Sequence, residues 1–177
     1  MKKLISLITV CLLLLGLCGC ERGPSLVGTT PTGDQASDDS ASNSSKTFKP
    51  GDSVELNDVV VTFIGVEETN DSDFNKPAEG KVYVLCEFEI VNNGNEDLTV
   101  STMLNFEAYC DDYGCDLSIG ALMERGSKEQ LDGTAAAGKK IKGVVGYEIP
   151  ADWKELEVHY SPGIFTSDKI VFVATNN

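Results

Sequence analysis

The chain predicts an all-β domain built as an antiparallel sandwich, and two observations carry that prediction. From about Phe48 onward, apolar and polar residues alternate in short runs rich in β-branched and aromatic side chains. Clusters of Asn, Asp, Gly and Pro break these runs often enough to leave seven or more short strands. A Greek-key barrel is the alternative arrangement of the same strands.

The chain opens on a different pattern. Lys2 and Lys3 precede an apolar run from Leu4 to Leu17, followed by Leu17-Cys18-Gly19-Cys20. This reads as a secretory leader ending in a bacterial lipobox. The run is too short for the ~20 residues of a membrane span. Gly19 before Cys20 and Leu17 three positions back suit a small-residue cleavage pocket, whereas Cys18 has the bulky Leu17 before it. Residues 1–19 are therefore expected to be removed and Cys20 to carry lipid. One acyl chain binds a membrane only marginally, but the two or more chains of a diacylglyceryl thioether contribute on the order of 20 kcal/mol. The expected address is the extracytoplasmic face of a bacterial cell membrane, with the lipid as the link to the bilayer.

Loss of the leader removes two of the 14 basic residues and none of the 28 acidic ones, shifting the formal charge from −14 to −16. So acidic a chain does not hold nucleic acid or anionic lipid headgroups through general electrostatics. The 158 residues left fit one domain and a tail. The tail is the region 20–47, where Glu21 to about Lys46 is rich in Ser, Thr, Gly and Asp and poor in bulky apolar residues. Such a composition predicts a flexible spacer with a mean reach of roughly 30 Å. The folded domain is then expected over residues 48–177.

Within that domain, Val59 to Ile64 is a nearly continuous apolar run and predicts a central strand. Lys81 to Val91 alternates most clearly: Val82, Val84, Cys86, Phe88 and Ile90 share one face, Tyr83, Leu85, Glu87 and Glu89 the other. Asn92-Asn93-Gly94-Asn95 ends it, and Leu98-Thr99-Val100 resumes extended structure. Leu104, Phe106, Ala108 and Cys110 are read as one strand face. Ser118 to Arg125 is ambiguous between a short helical turn and an irregular crossover. Ile141, Gly143, Val145, Tyr147 and Ile149 form the next face, stopped by Pro150. Leu156, Val158 and Tyr160 alternate with Glu155, Glu157 and His159, and Ile170, Phe172 and Ala174 close the chain.

The local chemistry centres on Cys110-Asp-Asp-Tyr-Gly-Cys115. Two cysteines bracket a four-residue connection in which Gly114 is available for positive φ. Facing one another across a hairpin outside the cytoplasm, Cys110 and Cys115 are expected to oxidise, constraining the unfolded chain by about 2 kcal/mol. Cys86 lies on the apolar face and reads as a buried thiol acting as a small hydrophobe, with pairing to one of the other two as the alternative. A zinc site of these cysteines with His159 lacks the usual ligand spacing, and no C-x-x-C redox motif is present. Asp111, Asp112 and Asp116 do not follow the EF-hand order and read as a solvated turn. His159, the single histidine, falls on the polar face of its strand, where an exposed structural role is expected. No Gly-x-Ser-x-Gly elbow, Walker loop or dinucleotide fingerprint occurs. Neither an enzymatic activity, a cofactor nor a metal is expected. Trp153 is read as packing near a sheet end, and Tyr109, Tyr113 and Trp153 are the candidates for a ligand surface.

A set of weaker motifs in a particular order adds to this reading. It comprises Gly51-Asp52-Ser53-Val54, Val66-Glu67-Glu68, Pro77-Ala78-Glu79-Gly80-Lys81 and Asn92-Asn93-Gly94. It continues with Asp111-Asp112-Tyr113-Gly114, Gly138-Lys139-Lys140, the run from Gly143 to Pro150, Tyr160-Ser161-Pro162 and Lys169-Ile170-Val171-Phe172. In this order, from about Gly51 to Val173, the chain resembles the immunoglobulin-like domain of unknown function (numbered four-three-five-two) of Gram-positive lipoproteins. The resemblance implies an immunoglobulin-like antiparallel β-sandwich and supplies no catalytic residues. Cys110 and Cys115 depart from the commoner family pattern. The functional expectation is a lipid-anchored, non-catalytic module that binds an unidentified protein or cell-wall partner through loops or a strand edge. The alternative is a small-ligand or glycan-binding surface lipoprotein.

Overall fold

The computed structural model describes residues 23–27, 46–69, 75–126, 128–163 and 167–176. Residues 1–22 and 28–45 lie outside them, and with them Cys20, the leader and most of the expected spacer.

Two five-stranded sheets pack against each other. The first runs in the order β1 (Ser25–Leu26), β3 (Ser53–Leu56), β4 (Val59–Thr69), β5 (Lys81–Asn92), β10 (Lys140–Pro150). The second runs β2 (Thr47–Phe48), β12 (Ile170–Thr175), β11 (Glu155–Tyr160), β7 (Phe106–Cys110), β8 (Tyr113–Cys115). Every pairing is antiparallel except β2 with β12. A small ribbon of β6 (Leu98–Val100) and β9 (Gly133–Ala135) and two short helices, α1 (Thr102–Asn105) and α2 (Ile119–Met123), complete the described residues. The all-β antiparallel sandwich expected from the alternation is the fold found, and β4 is central as the apolar run predicts.

The strands form where alternation puts one row of apolar side chains between the sheets. Val82, Val84, Cys86, Phe88 and Ile90 are all buried, and Phe106, Ala108, Leu156, Val158, Tyr160 and Phe172 meet them from the second sheet. Phe88 is the hub of the rings. It lies 4.7 Å from Phe63, 5.2 Å from Phe106 and 5.7 Å from Phe172, separations at which aromatic pairs contribute about 0.5–1.5 kcal/mol beyond area burial.

The outer face of the first sheet differs from its sequence pattern. Tyr83 and Leu85, on the face read as opposite the core, are buried with Ala121, Leu122 and Val144 in a second apolar cluster. The ambiguous segment 118–125 supplies the cover: α2 starts with Ser118 accepting the Ala121 amide, which satisfies one free N–H of its first turn. Leu104 is a correction. It belongs to α1 and is exposed, so the face it was expected to share begins at Phe106.

The two ends of the sandwich are distinct. At one, the β3–β4 turn at Asn57-Asp58 holds positive φ at both residues, a conformation Asn and Asp tolerate. It bonds Asn93 through the Asp58 carbonyl and Asp168 through the Asn57 amide. At the other end Ala151 bonds Gly80, the β7–β8 turn bonds Glu155, and Trp153 donates to Glu68. The N-terminal strand joins the first end. Ser25 pairs with Glu55, Leu26 with Val54, and the Val27 amide donates to Ser53 at 2.9 Å. The region read as a continuous spacer thus contains a strand of the first sheet.

Candidate functional site

A depression of about 870 Å³ opens at the end remote from Gly23. Its walls are the β7–β8 hairpin, the segment from Asp116 to Ile119 and the end of β10 with Pro150 and Asp152. Leu117, Ile149 and Pro150 give it an apolar lining, while Lys81, Asp116, Asp152 and Lys154 supply charges. Tyr113 and Ile119 line it and are 80% and 78% exposed.

The hairpin geometry explains where the cysteines go. Asp111 and Asp112 both take positive φ, so the connection is a tight two-residue turn rather than the expected four-residue one. Gly114 consequently lies in β8, and Cys110 pairs with Tyr113 while Cys115 pairs with Ala108. The expectation that Cys110 and Cys115 sit directly opposite one another is corrected by this register. They share a face on a diagonal, with their thiols in hydrogen-bond contact. Cys86, Cys110 and Cys115 are all free thiols. Burial pushes the Cys110 thiol up to about 11, with Cys115 and Asp111 adding to it, and burial likewise raises Cys86 and Cys115. Thiols held protonated at neutral pH are poor nucleophiles.

The carboxylate of Asp111 is occupied by structure. It accepts the Lys154 amide at 3.1 Å and the Glu155 amide at 2.9 Å, tying the turn to the start of β11. Among the described residues no group of three or more Cys, His, Asp or Glu side chains is arranged to hold a metal.

The three aromatic candidates are not brought together. Tyr113 lines the cleft. Tyr109 lies on the outer face of the second sheet, its ring 5.2 Å from His159. Trp153 is buried, with its indole nitrogen donating to Glu68 at 2.7 Å, so its role is the packing one. The expected exposure of His159 is also corrected: it is only 6% exposed. Tyr109 covers one side, Nε2 bonds Glu157, and Nδ1 accepts from Lys169 at 3.2 Å. Both ring nitrogens have partners on the sheet face. Long neighbours on the sheet face bury a residue that simple alternation assigns to solvent.

Sequence reasoning missed Leu117 and Ile119 as cleft residues. Their signal is the apolar segment Ile119-Gly-Ala-Leu-Met123 behind a Ser118 cap: its Ala121 and Leu122 are buried, and its Ile119 and Met123 remain outside.

A family profile described as Domain of unknown function (DUF4352) matches residues 48–170. Among solved structures the chain is similar to a candidate lipoprotein (ycdA) of Bacillus subtilis, at 19% identity and a TM-score of 0.55, over 66% of this chain and 36% of that one. It therefore spans about a third of that protein. It is also similar to the yjhA protein of Bacillus subtilis, at 18% identity and a TM-score of 0.53, over 71% of this chain and 98% of that one. At these identities the likeness is one of fold. None of the curated proteins matches the chain. No helix among the described residues is long and apolar enough to cross a membrane.

Proposed function

The chain belongs to the family described as Domain of unknown function (DUF4352), and from that premise we propose that it is a lipid-anchored, non-catalytic binding module whose ligand end is the cleft beside Tyr113 and Ile119. The observation that carries the reading is the exposure of these two side chains on the walls of this depression. Exposed apolar groups beside a concave surface are the usual marks of a recognition site. The lipobox ending at Cys20 and the fold likeness to a candidate lipoprotein support the anchor. Release of the lipidated form from the membrane is then negligible, and Cys20→Ala yields an unacylated precursor that takes up no labelled fatty acid.

A macromolecular partner is the first reading because the cleft is wide and its two apolar residues project outward. A photo-crosslinking amino acid placed at position 113 on intact cells forms a discrete adduct that is lost when Ile119 becomes Ser. The same group at the exposed Thr134, on β9, forms none. Equal adducts at both positions would defeat the reading. The second reading is a small ligand or glycan, favoured by a cleft volume of about 870 Å³, within the ordinary range for such sites. Under it, an added glycan or metabolite raises the melting temperature of the isolated protein.

A further inference from the structure

We infer that the N-terminal strand fixes the attitude of the domain on the bilayer, with the Asn57-Asp58 end facing the lipid and the cleft facing away. The inference rests on the anchor at Cys20. Cys20 stands three residues before Gly23, so even a fully extended chain puts the lipidated sulfur within roughly 14 Å of that glycine. Gly23 borders the depression formed with Leu56, Asn57 and Asp58. From there Ser25 and Leu26 pair antiparallel with Glu55 and Val54, and the Val27 amide bonds Ser53. The effective tether is therefore a few residues long, although more than twenty residues separate Cys20 from β2. A freely jointed spacer of that full length would let the domain turn in any direction. A short leash ending on a sheet edge holds one end of the sandwich down.

The opposite end carries the cleft. β5 runs twelve residues from Lys81 at the cleft to Asn92 at the anchored end, which sets the two about 40 Å apart. Leu26 and Val27 are 46% and 42% exposed, so the strap is held by its backbone ladder and little by burial. Proline at both Ser25 and Val27 removes donors from that ladder.

Trp153 is the chain's single tryptophan and marks the cleft end, whereas Asn93 is exposed at the anchored end and bonds Asp58. The full lipidated protein, purified from membranes, is placed in phosphatidylglycerol–phosphatidylethanolamine vesicles carrying a dansyl headgroup acceptor. Energy transfer is then read from Trp153 in the native chain and from position 93 in N93W with Trp153→Phe. Transfer from position 93 should exceed that from Trp153 several-fold, and S25P with V27P should collapse the difference. If loss of Trp153 unfolds the domain, N93W with Trp153 retained reports the same difference as an increment. Equal transfer from the two positions in the unmodified strap, or a difference that the prolines leave intact, overturns the inference while leaving the anchor standing. A chain that fails to float with the vesicles overturns the anchor and the attitude together.

Discussion

Gly120 of α2 lies so close to Tyr83 of β5 that a β-carbon on the glycine would stand 2.5 Å from the phenol oxygen. The helix can lie flat on the outer face of the first sheet because this residue has no side chain. Gly146 of β10 plays the reciprocal part, since a β-carbon there would come within 3.0 Å of Ala121. Two glycines, one on each partner, thus let a five-residue helix bury Tyr83 and Leu85, and the same helix opens with Ile119 on the wall of the cleft.

Close approach predicts an order of sensitivity to Gly→Ala changes. At Gly143 the new methyl would meet backbone, the Glu129 carbonyl and the Leu131 nitrogen, both at 2.8 Å. Backbone yields less readily than a side-chain tip, so Gly143→Ala should cost about 1–3 kcal/mol, and Gly120→Ala less. Gly114 has open space around it, and Gly114→Ala should change stability by no more than about 0.5 kcal/mol. Urea melts of the three variants check the order.

The ring cluster sets the largest loss. Phe88→Ala removes the hub that touches Phe63, Phe106 and Phe172 and should destabilise the domain by about 3–5 kcal/mol. Phe88→Leu should recover much of that. A fall in the denaturation midpoint of comparable size for both variants would contradict the packing account.

Acid should loosen the outer face of the first sheet. The Glu87 carboxyl is held below its ordinary range, first by the hydrogen bond from Lys142 and then by Lys128, at 2.9 and 3.2 Å. A carboxyl whose folded pKa is depressed stabilises the fold above the ordinary Glu value of about 4.3. That contribution disappears as pH falls through the lower, folded value. Glu87→Gln should therefore cost about 1 kcal/mol or less at neutral pH and should flatten the dependence of stability on pH below about 4.3. Lys128 runs the other way: its amine is raised, chiefly by the bond to Glu67, and its contribution is lost in strong alkali.

Thiol reactivity should follow burial. In native, reduced protein at neutral pH, an alkylating reagent should modify the half-buried Cys115 first and Cys110 next, leaving Cys86 until the domain unfolds. Peptide mapping over a time course reads the order directly. Rapid labelling of Cys86 in the folded state would show that the sheets part more readily than the core packing allows.

The strands were legible wherever one face met the core and the other met water. The alternation of Lys81 to Val91 identifies the inner row of β5 residue by residue. It also holds a clue to the second cluster, because Tyr83 and Leu85 are poor choices for a solvated face. What alternation cannot supply is the cover on that face, since a five-residue helix is too short to show a periodic pattern. Turn length was the other gap. Asp111-Asp112 and Gly114 offer alternative sites for positive φ, and choosing between them moves Cys115 from opposite Cys110 to a diagonal. His159 and Trp153 divide in the same way. The packing role of Trp153 follows from its place near a sheet end, whereas the burial of His159 depends on Tyr109 of β7 and on Lys169, just before β12, reaching it from neighbouring segments.

The long outer strand of the first sheet, β10, is not left bare. Leu117 bridges to Tyr147 and Gln130 to Val144 along its free side, while the remaining outermost strands, β1, β2 and β8, are two or three residues long. A molecule finished in this way narrows the main-chain ladder open to its neighbours among the described residues, leaving chiefly residues 65–69 of β4, which β3 does not reach. Copies crowded into the plane of one membrane meet there a stretch carrying the exposed Glu67 and Glu68, whose like charges resist knitting into fibres, and the acidity of each copy adds to their mutual aloofness.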